Sequence, residues 1–131
     1  MSNKWPDQQL YDQLFKESYY LGYETYTFLP PDNTPFPFVV ISSVQLVPRA
    51  TKSFLIGRVI AVIDIWGDEG SRRVVSDMAN DLLHRISKIK QIEGGHRWRM
   101  LHDLTSVEIL QDNSSADDLW RARIEVQLEF E

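Results

Sequence analysis

Three histidines are the side chains best suited to acid–base or metal chemistry near neutral pH. His96 and His102 lie six residues apart in a segment that reads as a strand, so they share a face if its phase holds, with Asp103 alongside. A metal site on a strand wants a tighter pairing, His-x-His, and one on a helix wants histidines four apart. His84 falls in the middle of a helical pattern, at the boundary between its apolar and polar sides. The spacing therefore predicts no metal centre. Nucleophilic catalysis fares no better. No Gly-x-Ser-x-Gly elbow is present, and Gly70-Ser71 precedes a helix and reads as its N-cap. Gly67-Asp68-Glu69-Gly70 lacks the lysine of a phosphate loop and carries two carboxylates that would repel a phosphate. Gly94-Gly95-His96 reads as a helix exit into a strand. The carboxylate pairs Asp68/Glu69 and Asp117/Asp118 sit in polar turns, where solvated carboxylates are commonplace. Asp64 differs, because it interrupts an apolar strand between Ile63 and Ile65. It predicts an arginine partner or a subunit contact, with catalysis the weaker reading. No catalytic constellation results, and the chain is expected not to be an enzyme and to need no cofactor.

Composition bounds what can surround these residues. A chain of 131 residues has the length of one domain, and its 43% apolar content is enough to build a core without staples. Cysteine is absent, which excludes a disulfide framework and a thiolate nucleophile. Met1-Ser2-Asn3-Lys4-Trp5-Pro6 shows no apolar stretch behind the lysine, so no signal peptide is expected. The longest apolar run, Val59 to Ile63, is far too short for a membrane span. Net charge is −5, which argues against non-specific binding to nucleic acid phosphates. Local basic clusters remain at Arg72-Arg73, Arg97/Arg99 and Arg121/Arg123.

The elements that must position these groups follow from periodicity and punctuation. Pro6 suits a first helical turn, Asp7 its positive end, Leu10, Leu14, Phe15 and Ser18 one side, and Gly22 a left-handed cap. Tyr23 to Phe28 reads as a strand. Leu29 to Pro37 holds four prolines in eight residues and is a stiff connector, pinned to the body through Phe36. A strand from Phe38 to about Val47 is expected to end at Pro48, and Pro48 to Ser53 bends the chain. Phe54 to Trp66 is the longest strand and is apolar on both faces: Leu55, Val59, Ala61, Ile63 and Ile65 on one, Phe54, Ile56, Ile60, Val62 and Trp66 on the other. Such a strand is covered on both sides. Helices would cover one face, and either more of this chain or a neighbouring subunit the other. From Ser71 to about Lys90, Val75, Met78, Ala79, Leu82, Ile86 and Ile89 recur at helical spacing. Arg97 to Leu110 reads as a strand whose phase changes near Leu104, at a bulge or bend. After an exposed turn over Gln111 to Asp118, a last strand alternates, with Trp120, Ala122, Ile124, Val126, Leu128 and Phe130 inward. The fold class is α+β, a mostly antiparallel sheet with two helices on one face in the order α-β-β-β-α-β-β, as one domain.

Taken in order, several stretches carry a resemblance. They are the short first helix, Tyr26-Thr27-Phe28-Leu29-Pro30-Pro31 leading into Thr34-Pro35-Phe36-Pro37-Phe38-Val39-Val40-Ile41, then Val62-Ile63-Asp64-Ile65-Trp66, the amphipathic helix and the final alternating strand. Together they resemble the tail-completion or tail-terminator proteins of long-tailed bacteriophages, over nearly the whole chain. The likeness is one of length and hydrophobic skeleton, since no invariant functional motif exists to check. It implies a structural subunit that forms a hexameric ring at the head-proximal end of the tail tube, stops tube growth and offers the head-joining surface. The partners so implied are copies of itself, the tail tube protein and a head-completion or connector protein, with DNA in passage but not specifically bound and no membrane. The place implied is the virion tail, assembled in the bacterial host cytoplasm. An acidic ring suits a lumen through which DNA slides, with Asp68, Glu69, Asp117 and Asp118 as lumen-facing candidates. Ring contacts are expected at Arg49 and Lys52, at Asp64, and at Arg72 and Arg73, basic groups on one copy meeting acidic groups on the next. Two other readings stay open: a different head–tail connector or stopper, and a small cytoplasmic α+β ligand-binding protein centred on His96, His102 and Asp103.

Overall fold

A computed structural model of the chain describes residues 4–49, 56–92, 95–113 and 118–131. Helix α1 (Pro6–Tyr20) begins on its proline and ends as the sequence predicts. Gly22 takes φ +85°, its N–H bonds to the Tyr19 carbonyl at 2.9 Å, and the Tyr23 N–H bonds to that of Ser18 at 3.2 Å. This is a left-handed helix stop, which leaves no Cβ to clash. The strand expected from Tyr23 to Phe28 shrinks to β1 (Thr25–Tyr26), because only these two residues find a partner, running parallel to Val39 and Val40. The proline-rich connector is irregular and held to the body through Phe36, whose ring stacks on Phe38 at 5.3 Å.

Strand β2 (Phe38–Arg49) continues through Pro48 instead of stopping there. Beyond Val40 no described strand lies on its outer side, so no N–H is owed at position 48 and a proline is tolerated. β2 pairs antiparallel with β3 (Ile56–Gly67), with a bulge at Ser42. The expected start of β3 at Phe54 and Leu55 lies outside the described residues. β3 pairs along its whole length with β6 (Leu119–Phe130). The single strand expected from Arg97 to Leu110 is two: β4 (Trp98–Met100) and β5 (Ser106–Asp112), separated by a 3-10 turn at His102–Leu104 and both paired with β6. That turn is the physical form of the phase change at Leu104. The sheet order is β1-β2-β3-β6-β4, with β5 also on β6.

Helix α2 (Arg72–Ser87) buries Val75, Met78, Ala79, Leu82 and Ile86, and stops short of the expected Lys90 because Lys88 takes the C-cap position. Ser71 stands at its N-cap but does not cap it: the hydroxyl donates to the Asp68 carboxylate instead. Both helices lie on one face of the sheet. Leu10 and Leu14 of α1 and the apolar stripe of α2 share one core with Val39, Ile41, Val59, Ala61, Ile63, Ile65, Ala122, Ile124, Val126 and Leu128. Each large aliphatic side chain buried there contributes about 1.5–3 kcal/mol. The two helices are tied by Glu17, nearly buried, which accepts from Arg85 Nε at 2.8 Å and from Gln13 at 2.7 Å.

Backbone crowding fixes the start of β3. A Cβ on Gly57 would lie 2.3 Å from the Val47 carbonyl oxygen and 2.9 Å from the Pro48 Cα, main-chain atoms that cannot swing aside. Gly57→Ala is expected to cost about 2–3 kcal/mol, at the high end for overpacking. Gly70→Ala, with open space around it and only a φ of +84° to accommodate, should cost about 1 kcal/mol. Urea midpoints of the two variants check the difference, and equal midpoints would refute it.

Candidate assembly surface

The face of the sheet turned away from the helices is built by strand parity. Register places Arg58, Ile60, Val62, Asp64 and Trp66 of β3 beside Val47, Gln45, Ser43, Val40 and Phe38 of β2, and beside Glu129, Gln127, Glu125, Arg123 and Arg121 of β6. Phe38 and Val40 at one corner are buried, and Tyr26 meets the Phe38 ring edge-on at 5.8 Å. Over the rest no described helix lies, and Ile60, Val62 and Trp66 are only half-buried. Of the two covers expected for β3, the described residues supply one.

Asp64 is 6% exposed in the middle of this face. An unpaired carboxylate there would be costly to bury. One oxygen accepts from Arg121 Nε at 2.8 Å and the other from the Ser42 hydroxyl at the bulge. The Arg121 guanidinium lies over the Trp66 ring, 5.3 Å from its centre. Both oxygens of Asp64 are thus taken up within the chain, and three strands meet at this one side chain.

The other candidates divide between the two ends of the sheet. Arg72, Arg73, Asp68, Glu69 and Asp118 lie at the end where β3 stops and β6 starts, since Gly67 is opposite Trp120. Asp68, Glu69 and Asp118 are exposed and form no ion pair among the described residues. Arg72 lies over the Trp120 ring at 5.8 Å, and Arg73 makes a loose, exposed pair with Asp77 at 3.8 Å. Arg49 is at the opposite end, exposed, where β2 stops. Lys52 and Asp117 lie outside the described residues.

Around Arg49 the structure assembles a group that sequence reading did not bring together. Arg49, Arg58, Arg97 and Arg99 line a cleft of about 710 Å³, with Val47, Ile56, Leu101, Trp98 and Phe130 as its apolar part and Glu129 and Glu131 as its acids. Arg99 is paired with Glu129 at 2.5 Å. The other three arginines have no carboxylate partner among the described residues. Trp98, 3% exposed, keeps its indole N–H without an acceptor there. The sequence marked Arg49 as a ring contact and Arg97 and Arg99 as a basic cluster, without joining them or adding Arg58.

The histidines do not make a site together. His96 precedes β4 and packs edge-on against Phe130 at 5.3 Å, while His102 is exposed in the 3-10 turn beside Asp103, so the two do not share a strand. Among the described residues no three His, Cys, Asp or Glu side chains converge as a metal ion would require.

No family model and no curated protein matches the chain. Among solved structures it is similar to one chain of a structure described as the virion of a native gene transfer agent particle, with a TM-score of 0.60 and 12% identity. The match covers 95% of this chain and 93% of that one. At this identity the likeness is one of fold, and it runs through both chains from near one end to near the other.

The Asp64 cluster generates a stability test. Arg121→Ala would leave a buried carboxylate with only a hydroxyl partner, and breaking such a pair costs about 3–5 kcal/mol when fully buried. Because Arg121 is itself 29% exposed at its side chain, the lower half of that range is expected. The double variant Asp64→Leu with Arg121→Met should recover most of the loss. Urea unfolding of the three proteins measures it, and a double variant no more stable than Arg121→Ala would refute the reading.

Proposed function

We propose that this chain is a structural subunit of a phage-like virion that completes the tail tube as a hexameric ring and presents the surface that joins the head. The observation that carries the reading is the end-to-end fold likeness to a chain of a gene transfer agent virion. Two features of the chain itself support it. The outer face of the sheet exposes Ile60, Val62 and Trp66 in part, a surface that a neighbouring subunit or partner can cover. Exposed charge is unequal between the sheet ends among the described residues, with arginines in excess at one and carboxylates in excess at the other. Contacts between unlike surfaces of identical copies are what a ring requires.

In this role the protein does its work by geometry. The α+β body is stiff, with the helices locked by Glu17 and Arg85 and the strands by Asp64. A net charge of −5 on every copy keeps DNA phosphates from adhering as the genome passes. Tube growth would stop because the ring offers the tube a matching lower surface and no equivalent upper one.

Light scattering and negative-stain electron microscopy of the purified protein, alone and mixed with tail tube protein, test the proposal. A sixfold ring, free or seated on tube ends with tubes of limited length, is the expected result. A protein that stays monomeric or dimeric and leaves tube growth unchanged would refute it.

A further inference from the structure

We infer that copies of this chain join head to tail through the two ends of the sheet, the arginine cleft of one copy receiving the acidic turn of the next. The inference rests on the ring reading for the number of copies, but the contact itself is argued from charge and shape.

The two surfaces sit at opposite ends of the same strands. Gly57 and Arg58 lie at the start of β3 and Gly67 at its close, and twelve residues of strand span about 40 Å at roughly 3.3 Å each. At the first end Arg49, Arg58 and Arg97 converge with no carboxylate partner among the described residues. The sequence joining β2 to β3, residues 50–55, adds Lys52 and no acid. At the second end Asp68, Glu69 and Asp118 are exposed and form no ion pair among the described residues, with Arg72 over the Trp120 ring and Arg73 paired with Asp77 nearby. Set against the carboxylates Glu129 and Glu131 at the first end and Arg72 and Arg73 at the second, the excess is basic at one end and acidic at the other, which makes the two ends complementary between copies of the same chain.

Shape agrees with charge. The basic end is concave, a cleft of about 710 Å³, and the acidic end is a turn on which Asp68, Glu69 and Gly70 all stand exposed. A side-chain carboxylate can meet a guanidinium through two parallel N–H donors. Each copy would use both ends, so the contact propagates from copy to copy and closes where the rotation per step allows.

Charge exchange tests this. One variant carries Arg58→Glu and Arg97→Glu, and a second carries Glu69→Arg and Asp118→Arg, all exposed positions, with thermal melts to show that each is folded. Sedimentation velocity over a concentration series, at low and high salt, is run on wild type, each variant alone and their equimolar mixture. Wild type is expected to associate, more weakly at high salt. Each variant alone should lose association by at least about tenfold, and the mixture should regain it, because the reversed cleft of one then meets the reversed turn of the other. Rings from wild type and from both variants alike would overturn the end-to-end contact while leaving the ring standing. Loss in both variants without recovery in the mixture would also overturn it, since the two ends then do not face each other. Association restored in the mixture but in assemblies without sixfold symmetry would uphold the contact and remove the hexamer. No association of wild type or mixture at any concentration, or binding of a short DNA duplex abolished by Arg58→Glu and Arg97→Glu, would overturn it as well.

Discussion

A carboxylate buried in the middle of a strand is the most expensive group in this fold, and its satisfaction dictates what surrounds it. A carboxylate at such a place needs a cation and a donor within reach. The cation is Arg121, one strand away on β6, and the donor is Ser42, one strand away on β2. Ser42 reaches because it is the bulged residue, with Ile41 and Ser43 on either side following different registers. A slip of either neighbour by one residue would turn its partner to the helix face and leave the charge alone. Asp64 thereby sets the alignment of β2, β3 and β6, and with it the positions of both sheet ends. Trp66 completes the arrangement by offering its ring to the same guanidinium.

With that alignment set, the rest of the architecture is a consequence of supply. Two helices are enough to cover one side of a sheet of this size, and their apolar stripes are used up in doing so. The proline-rich connector reaches only the corner at Phe38. What remains of the outer face is alternately apolar and charged, too polar to demand a permanent partner and too apolar to be indifferent to one.

Much of this was legible in the residues. The stripe of α2, the alternation of β6 and the two apolar faces of β3 are periodic, and periodicity is a local property. Gly22 and Pro6 marked the limits of α1 for steric reasons that act within a few residues. Whatever depends on pairing was not legible. Tyr23 to Phe28 has strand composition, yet only Thr25 and Tyr26 have a neighbour to bond with. Pro48 looked like a terminus and is interior, since the missing strand beside it removes the penalty. The arginine cleft gathers positions 49, 58, 97 and 99 from three strands and a loop, and Glu17 meets Arg85 across 68 positions of sequence. No window along the chain contains such neighbours.

The outer side of β2, which beyond Val40 has no strand partner among the described residues, carries one more consequence. A bare strand edge is a template on which identical chains can stack without limit, rung after rung of backbone hydrogen bonds. Here the row is interrupted twice, by the bulge at Ser42 and by Pro48, which has no N–H to offer. Both interruptions shorten the run of backbone groups that this edge can offer to another chain. A contact made along this edge would have to rely more on side chains of fixed geometry than on an unbroken backbone ladder.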